Sequence, residues 1–335
     1  MQKPFFSIIV VSLNAGEELK KTLESVSGQS CRDYEVILKD GGSEDGSLDF
    51  LREAFGDGSL DVLKEASADD SPDFLREASS DDSLDVLKEA SGRVRLCEKK
   101  DRGIYDAMNQ ALKLATGDYF LFLNCGDYLY DNLVLERVKE KIEVSLKSGL
   151  EDKTEWEERK IRAKETGSYG TKTVPRIFYG DLYNRKQQAR ISSSPEITDF
   201  TLFRNVPCHQ VCFYHKSLFE KRAYDLKYRV RADYEHFLYC IKERKATAQA
   251  MHLVTASYEG GGFSETEKNR RISAREHKEI TRKYLGIDAC RKYRLILWLT
   301  LAPVRSKIAE NPRLALGYNR VKSMIYKMKG RHKEK

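Results

Sequence analysis

Three short runs of mainly apolar residues constrain the fold of this chain more than any other feature of its sequence. The runs are FFSIIVVS at 5–12, YEVILK at 34–39 and YFLFL at 119–123. Continuous apolar runs of this length are typical of parallel strands that helices cover on both faces. Between the first two runs, apolar residues at 19, 23 and 26 recur at helical spacing. The sequence therefore predicts an α/β protein with a mainly parallel sheet flanked by helices.

Carboxylates follow these strand candidates. Asp40 and Asp45 come after the second run, Asp127 comes after the third, and Asp101 follows a further strand candidate at 93–98. The carboxyl ends of parallel strands meet at one edge of a sheet, where open α/β sheets bind their ligands. A single aspartate in such a position is better explained as a turn or a helix cap. Several at strand ends favour a site that holds a divalent cation with a phosphate, or a ribose and base.

Residues 47–92 form a tandem array with a period of 12 residues, whose copies begin at Ser47, Ser59, Ser71 and Ser83. Each copy predicts a short helix, because serine stands at the N-cap position, an acidic residue follows in the first turn, and leucine or phenylalanine fills the inner positions. One continuous helix would rotate its apolar stripe by about 120° per copy, so separate short helices are expected. We interpret the array as a duplicated surface helix; the alternative is a binding surface or spacer.

Several motifs follow one another along the chain and agree with the predicted strands and helices. They are SIIVVSLN at 7–14, DGGSEDGS at 40–47, DRGIYDAMNQAL at 101–112, FLNCGD at 122–127, CHQ at 208–210 and ADYE at 232–235. In this order they resemble the family 2 glycosyltransferases of bacterial polysaccharide biosynthesis, which have the GT-A fold. The resemblance covers about residues 5–46 and 93–240.

This resemblance, taken together with the repeat array and the basic C-terminal sequence, implies three regions. The first is a Rossmann-like GT-A glycosyltransferase domain at 1–46 and 93–263, the second is the repeat array inserted at 47–92, and the third is a basic helical C-terminal region at 264–335. It also implies a nucleotide-diphosphate sugar as donor, with a UDP-sugar as the first candidate. The expected donor contacts are Ser12, Asn14, Asp40, Asp101, Arg102, Tyr105, Asn109 and Asn124.

A divalent metal is the expected cofactor. The resemblance implies that Asp127 holds Mn²⁺ or Mg²⁺ against the two phosphates of the donor. The motif LNCGD has a single carboxylate where the more familiar DxD motif has two. A cation here would therefore depend on phosphate oxygens and waters for most of its ligands, which Mg²⁺ accepts. The alternative is that Asp127 caps the next helix.

The resemblance assigns Asp233 as the general base, which would deprotonate the acceptor hydroxyl for an in-line attack that inverts the anomeric carbon. Because an apolar helical pattern follows it, Asp233 is also a candidate helix cap. His209 and Gln210 are expected to line the acceptor pocket. The expected acceptor is a glycan or a polyprenyl-linked glycan.

Two other functions are weighed against this prediction. One is a glycosyltransferase-like scaffold protein that has lost catalysis and binds partners through the repeat array. The reduced metal motif would favour this alternative. The joint presence of Asp40, Asp127 and Asp233 argues against it. The other is a nicotinamide-dependent dehydrogenase, which is disfavoured because no GxGxxG motif follows the first strand.

The C-terminal end of the chain is basic, with 10 Lys or Arg and 2 Asp or Glu at 305–335. The pair Asn311-Pro312 predicts a helix start, and the apolar face that follows is flanked by basic residues. This pattern predicts an interfacial helix on anionic lipid, with Trp298 inserting at the same surface. The alternative is a solvated basic helix that packs on its own domain. Nucleic acid is not an expected partner, because no recognised binding module accompanies the charge.

Membrane crossing is not expected. The longest late apolar run, at 295–304, is shorter than the roughly 20 residues that a membrane-spanning helix needs. The N-terminus shows neither a basic region nor a cleavage site typical of a signal peptide. The predicted location is therefore the cytoplasm, with peripheral attachment at the inner face of a bacterial membrane.

Overall fold

The computed structural model describes residues 3–53, 61–62, 93–151, 176–259 and 266–300, together with 317, 320, 321 and 324. Most of the repeat array and most of the basic tail lie outside these described residues, so their predicted helices largely remain predictions. In the first repeat copy, residues 49–53 are helical as expected. In the second copy, Asp61–Val62 form a short strand where a helix was predicted.

The strands are β1 Phe6–Ser12, β2 Tyr34–Asp40, β3 Asp61–Val62, β4 Val94–Glu98, β5 Tyr119–Asn124, β6 Asp127–Leu129, β7 Arg176–Asn184, β8 Ala189–Ile191, β9 Cys212–His215 and β10 Thr247–Tyr258. The α-helices are α1 Glu17–Ser27, α2 Ile104–Leu112, α3 Val134–Glu151, α4 Asp199–Arg204, α5 Ala232–Lys242, α6 Glu267–Leu285 and α7 Ile287–Leu299. Short 3₁₀ turns precede and follow β9, at His209–Val211 and Lys216–Leu218.

Within the described residues the strands form one sheet in the order β3-β4-β2-β1-β5-β9-β7-β10-β6, with β8 beside β7. The neighbours from β3 to β5 are all parallel, which confirms the predicted parallel sheet for the N-terminal half. Strand β9 runs antiparallel between β5 and β7, so the C-terminal half is mixed. The chain moves outward from β1 through β2 to β4 and then returns to the other side of β1 with β5. A crevice at such a switch of direction is where α/β sheets bind ligands.

Both faces of the sheet are covered, as the continuous apolar runs predicted. Every residue of β1 and β2 is buried. Because side chains alternate along a strand, Phe6, Ile8 and Val10 pack with α1 and α3, whereas Ile9 and Val11 pack with α2 and α5 on the opposite face. The predicted α/β class, a sheet between two layers of helices, is confirmed.

Helix α6 packs against the body of the protein. Its Ile280 belongs to the same core as α2 and α5. The Glu276 carboxylate accepts the backbone N–H groups of Arg229, Val230 and Arg231, at 2.8–3.0 Å. Helix α6 belongs to the C-terminal region that the sequence analysis begins at residue 264. These contacts therefore connect that region to the one before it. Among the described residues, no helix combines the length and the apolar character needed to cross a membrane.

Candidate active site

The carboxyl ends of β1, β2 and β5 lie side by side and form one edge of the candidate site. Ser12, the last residue of β1, is in register with Asp40, the last residue of β2. On the other side of β1, Val11 is in register with Asn124, the last residue of β5. Parallel pairing therefore brings three of the predicted donor contacts, Ser12, Asp40 and Asn124, to the same edge of the sheet.

Asp40 is buried, and its carboxylate binds the loop that follows it. Oδ1 accepts the N–H groups of Gly42 (2.8 Å) and Ser43 (2.7 Å), and Oδ2 accepts the Ser43 hydroxyl (2.7 Å). The Asn14 N–H donates to Ser43 Oγ (2.8 Å), and Asn14 Oδ1 accepts the N–H of Glu44 (3.0 Å). Asn14 has a φ of 49°, a conformation that asparagine adopts more readily than most residues. Asp40 and Asn14 therefore fix the shape of this loop, and their contact with a donor remains a prediction.

Asp101 pairs with Lys39, a residue that was not among the predicted contacts. The Lys39 side chain is fully buried, with its Nζ 3.2 Å from Asp101 Oδ2. Nζ also donates to the carbonyl oxygens of Asp40 (2.6 Å) and Lys99. A Cβ on Gly41 would lie 2.8 Å from Asp101 Oδ2, so a larger residue there would force the Asp101 side chain to shift. The signal in the sequence was a lysine inside a buried strand, since a buried ammonium group requires partners.

Arg102 lies next to Asp101 and extends into solvent. Its Nε is 3.5 Å from Asp106 Oδ2, and its backbone N–H donates to the same oxygen (2.9 Å). The Gly103 N–H donates to Asp101 Oδ1 (2.9 Å), which fixes the turn before α2. The turn is therefore well defined, while most of the Arg102 side chain stays accessible to an anionic ligand.

Asp127 is a buried carboxylate at the start of β6, directly after the turn that follows β5. Its Oδ2 accepts the Asn124 N–H (3.2 Å), and its Oδ1 accepts Gln210 Nε2 (3.3 Å). His209 Nε2 lies 3.9 Å from Asp127 Oδ2 and 3.0 Å from Asn124 Nδ2. Asp127 is the first residue of strand β6, so the alternative of a helix cap is wrong.

Asp233 lies in the first turn of α5. Its Oδ2 is 3.2 Å from His209 Nδ1, and its Oδ1 accepts the Tyr234 N–H (2.8 Å) and lies 2.8 Å from the Tyr105 hydroxyl. The N-cap residue of α5 is Arg231, so Asp233 does not occupy the cap position that was its alternative role. The Asp233 side chain remains 24% exposed, which leaves it accessible to a substrate hydroxyl.

His209 joins the two carboxylates. It lies in the 3₁₀ turn His209–Val211, which directs the ring between Asp127 and Asp233. If the Asn124 amide donates to Nε2, a neutral ring carries its proton on Nδ1 and donates it to Asp233. His209 and Gln210 were expected to line the acceptor pocket. The structure places His209 between the two aspartates and Gln210 on Asp127, and their contact with an acceptor remains a prediction.

Burial and charge shift the pKa values of these three groups differently. Burial raises the pKa of Asp127, because the charged form loses hydration and His209 offsets this only in part. Burial also acts to raise the pKa of Asp233, but the hydrogen bonds from His209 and Tyr105 outweigh it and lower the pKa. Burial acts to lower the pKa of His209, but Asp233 and Asp127 outweigh it and raise the pKa. Asp233 is therefore ionised at neutral pH.

Two predicted donor contacts on α2 have other partners. The Tyr105 hydroxyl has one proton, which it donates either to Asp233 Oδ1 or to the carbonyl of Val230 (2.9 Å). Both amide atoms of Asn109 bind the backbone of Tyr224, with Nδ2 and Oδ1 each at 2.9 Å. Helix α2 therefore supports Asp233 and the loop before α5, and donor contacts of these two residues remain predictions.

Oxygen atoms around Asp127 fit a divalent cation. Within the described part of the chain, Asn124 Oδ1 and Gln210 Oε1 are buried without a hydrogen-bond partner. Carboxylate and amide oxygens are the ligands that Mg²⁺ and Mn²⁺ prefer. The described residues contain no group of three or more His, Cys, Asp and Glu side chains that would hold a metal without help. The donor set is thus suited to a cation that shares its ligands with a phosphate-containing substrate.

Several solved structures are similar to this chain at low sequence identity. Mannosyltransferase PcManGT from Pyrobaculum calidifontis, in complex with GDP-Man and Mn²⁺, is 12% identical, with 100% of this chain and 89% of that chain covered and a TM-score of 0.48. S. aureus TarS 1–349, in complex with UDP-GlcNAc, is 13% identical, with 84% and 71% covered and a TM-score of 0.46.

Sequence comparison gives the family. The family model for glycosyl transferase family 2 matches residues 7–65 and 74–208, which include most of the repeat array. The PGL/p-HBAD biosynthesis glycosyltransferases of Mycobacterium bovis (strain BCG / Pasteur 1173P2) and Mycobacterium tuberculosis (strain ATCC 25177 / H37Ra) are each 31% identical over 268 residues. These alignments cover 79% of this chain and 81% of each relative. The chain therefore belongs to glycosyl transferase family 2 and is a glycosyltransferase.

Proposed function

We propose that this glycosyltransferase inverts the anomeric carbon of a nucleotide-diphosphate sugar and transfers the sugar to a glycan or a lipid-linked glycan, with Asp233 as the general base. One observation carries this proposal. The imidazole ring of His209 lies between two carboxylates. One is the ionised Asp233, and the other is the buried Asp127 near the end of β5. The two carboxylates thus belong to one site although they come from distant parts of the chain.

Asp233 has the properties that a base requires. Its lowered pKa keeps it ionised at neutral pH, and its partial exposure leaves it open to an acceptor. The contacts to Tyr105 and His209 fix the direction of the carboxylate. In the transfer, the acceptor oxygen forms a bond to the anomeric carbon, and the hydroxyl proton passes to Asp233. The bond to the diphosphate breaks, and its electron pair leaves with the nucleotide.

The arrangement of the two carboxylates supports inversion. In-line displacement requires the acceptor and the leaving diphosphate on opposite faces of the sugar. Asp233 serves the acceptor side, and the Asp127 side serves the diphosphate, with His209 between them. A sugar bound with its diphosphate on the Asp127 side and the acceptor on the Asp233 side would be attacked from the face opposite its leaving group. One displacement with a single base then gives inverted configuration.

Asp127, Asn124 and Gln210 would hold the Mn²⁺ or Mg²⁺, because the side chains of Asn124 and Gln210 lie beside Asp127 and their amide oxygens are buried without a hydrogen-bond partner among the described residues. When bound, the cation supplies positive charge that stabilises the leaving diphosphate. The accessible guanidinium of Arg102 is a second source of positive charge for the phosphates.

The donor would lie across the ends of β1, β2 and β5, with a UDP-sugar as the first candidate. Ser12 and Asp40 border this edge in register, and the loop after Asp40 is held in a fixed shape. The mycobacterial relatives are named for PGL/p-HBAD biosynthesis, so acceptors of that biosynthesis belong in the first panel beside polyprenyl-linked glycans. A lipid-linked acceptor would place the enzyme at the inner face of the membrane.

Turnover of a panel of nucleotide sugars with Mn²⁺ tests the proposal. The wild type is expected to release nucleoside diphosphate, and Asp233→Asn is expected to lose about 10²- to 10⁴-fold in kcat, as for removal of a general base. Asp288→Asn is the matched control, since Asp288 also lies in the first turn of a helix but is almost fully exposed. Normal turnover by Asp233→Asn would refute the base assignment. Donor binding without turnover by the wild type would favour a scaffold.

A further inference from the structure

Helix α7 carries exposed apolar side chains near its C-terminal end. Leu295, Trp298 and Leu299 are 55%, 69% and 64% exposed. Their spacing of three and four residues places all three on one face of the helix. Tryptophan is highly buried on average in folded proteins, so a tryptophan exposed to this extent indicates a contact surface.

Two arginines extend this face toward the start of the helix. Arg291 precedes Leu295 by four residues, Arg294 precedes Trp298 by four, and both are exposed. Arg291 lies 3.4 Å from Asp288 across a fully solvated surface, a pair that holds the guanidinium only weakly. We call Arg291, Arg294, Leu295, Trp298 and Leu299 the α7 strip.

The opposite face of α7 is fixed to the body of the protein. Cys290 is buried, and the Tyr293 ring lies 5.5 Å from the rings of both Phe200 and Phe203 in α4. Aromatic contacts at this separation stabilise a defined orientation. The helix therefore cannot turn the α7 strip inward without breaking these contacts.

The same elements connect the α7 strip to the candidate active site. Helix α4, on which α7 packs, is followed by Asn205, whose Oδ1 accepts Arg231 Nη1 (3.4 Å). Arg231 is the N-cap residue of α5, the helix that carries Asp233. The strip thus lies on a helix that is connected through α4 and Asn205 to α5, the helix that carries the proposed base.

We propose that the α7 strip docks on an anionic lipid bilayer. Tryptophan with neighbouring leucines suits the boundary between headgroups and acyl chains, and arginines one turn away suit anionic headgroups. Charge complementarity therefore selects an anionic membrane as the occupant of this face. The inference deepens the proposed function and rests on it only for the identity of the acceptor. The surface would hold the enzyme where a lipid-linked acceptor can reach Asp233.

Tryptophan fluorescence tests the docking directly, because the full chain contains two tryptophans, Trp156 and Trp298. In the Trp156→Phe variant all tryptophan emission comes from Trp298. Vesicles of mixed phosphatidylglycerol and phosphatidylcholine are expected to shift this emission to shorter wavelength, and brominated acyl chains are expected to quench it. Pure phosphatidylcholine vesicles are expected to have a much weaker effect. An unchanged Trp298 emission with anionic vesicles would overturn the proposal.

Charge-reversal variants test whether docking on the bilayer requires the two arginines of the α7 strip. Arg291→Glu/Arg294→Glu is expected to reduce sedimentation with anionic vesicles by about tenfold or more, and added salt is expected to weaken wild-type binding. Arg271→Glu/Arg275→Glu on α6 makes the same change in net charge at another exposed position and is the matched control. Equal loss in both double variants would overturn a specific role for the α7 strip. Circular dichroism and thermal melting of each variant verify that it is folded.

Donor hydrolysis without vesicles separates this inference from the proposed function. The α7 variants are expected to release nucleoside diphosphate from the donor at the wild-type rate in solution, because the strip does not touch the site. Transfer to a lipid-linked acceptor in vesicles is expected to fall together with vesicle binding. Vesicle binding without donor turnover would sustain the inference and refute the proposed function. An α7 variant that no longer binds vesicles but still transfers sugar to a vesicle-borne acceptor at the wild-type rate would refute the role proposed for the α7 strip.

Discussion

Lys39 Nζ lies 3.2 Å from Asp101 Oδ2, and neither side chain has appreciable contact with solvent. The other two Nζ donors bind the carbonyls of Asp40 and Lys99, so the ammonium group is fully satisfied. This pair joins the end of β2 to the turn before α2. It thereby fixes Asp101 and its neighbour Arg102 relative to the loop after Asp40, at the place proposed for the donor.

Replacement of Lys39 by methionine is expected to destabilise the protein by about 3 kcal/mol, because Asp101 would remain as a buried charge without its partner. The donor KM is also expected to rise, since the turn that presents Arg102 loses its attachment. Urea unfolding and donor titration measure the two effects. Lys113→Met, at an exposed position, is the control and is expected to change stability by less than about 0.5 kcal/mol.

A double variant separates the ion pair from the loss of packing. Lys39→Met/Asp101→Asn is expected to be more stable than Lys39→Met alone, because the second change removes the uncompensated charge. If the changes in unfolding free energy of Lys39→Met and Asp101→Asn simply add up in the double variant, the ion pair between Lys39 and Asp101 does not stabilise this turn.

The Tyr105 hydroxyl is expected to tune the base. Burial acts to raise the pKa of Asp233, and hydrogen bonds from His209 and Tyr105 lower it. In Tyr105→Phe one of these bonds is absent, so the pKa of Asp233 should rise. A base with a higher pKa is protonated at higher pH, and the acid limb of the kcat profile should move toward neutral pH.

The measurement for Tyr105→Phe is the pH dependence of kcat at saturating donor. Tyr228→Phe is the matched control, because its hydroxyl contacts Glu279 away from Asp233 (3.2 Å). The control should retain the wild-type profile. A Tyr105→Phe profile that keeps its acid limb while the rate falls at every pH would assign the tyrosine a purely structural role.

Asp127 is expected to control metal binding. Asp127→Asn should weaken Mn²⁺ binding in the presence of nucleoside diphosphate by at least about 10- to 100-fold, because that loss is typical even for residues that only support a metal ligand. Electron paramagnetic resonance of free Mn²⁺ reports binding independently of activity. Asp131→Asn, a more exposed aspartate in the following loop, is the control. Equal Mn²⁺ affinity in the wild type and Asp127→Asn would place the cation elsewhere.

The strands that build the site were predictable because their physical signal is local. β1, β2 and β5 are runs of mainly apolar residues, and Asp40 and Asp127, at or just after the ends of β2 and β5, stand where such strands expose their ligand-binding edge. The mixed order of β9, β7 and β10 has no such signal. It depends on pairing between segments far apart in the chain, which one sequence does not encode locally.

Tertiary contacts changed one local prediction and determine two features of the site that the sequence did not indicate. Asp61–Val62 have a helical sequence pattern, but they pair with β4 as an edge strand, because backbone pairing at a sheet edge overrides weak propensity. The sequence did not indicate that the 3₁₀ turn places the His209 ring between Asp127 and Asp233, and the contact of His209 with an acceptor remains a prediction. Lys39 was overlooked because its partner, Asp101, is 62 residues away in sequence. In each case the determining neighbour lies far along the chain.

Glu35 is expected to make the stability of the sheet depend on pH. The Glu35 carboxylate accepts hydrogen bonds from Ser7 Oγ (2.6 Å), the Thr116 N–H (2.6 Å) and the Gly117 N–H (3.2 Å), and it also contacts Arg95. Burial acts to raise the pKa of Glu35, but the bonds from Ser7 and Thr116 and the charge of Arg95 outweigh it and lower the pKa.

The pKa of Glu35 in the folded protein is lowered from its ordinary value of 4.5. The ionised carboxylate therefore stabilises the protein at any pH above 4.5. This contribution is lost as the pH falls through 4.5 and then through the lower folded-state pKa. Glu35→Gln should therefore be less stable than the wild type at neutral pH, and the difference should narrow in acid. Urea unfolding of both proteins across this range measures it, with the exposed Glu220→Gln as control. A difference that stays constant with pH would show that Glu35 acts through packing and not through its charge.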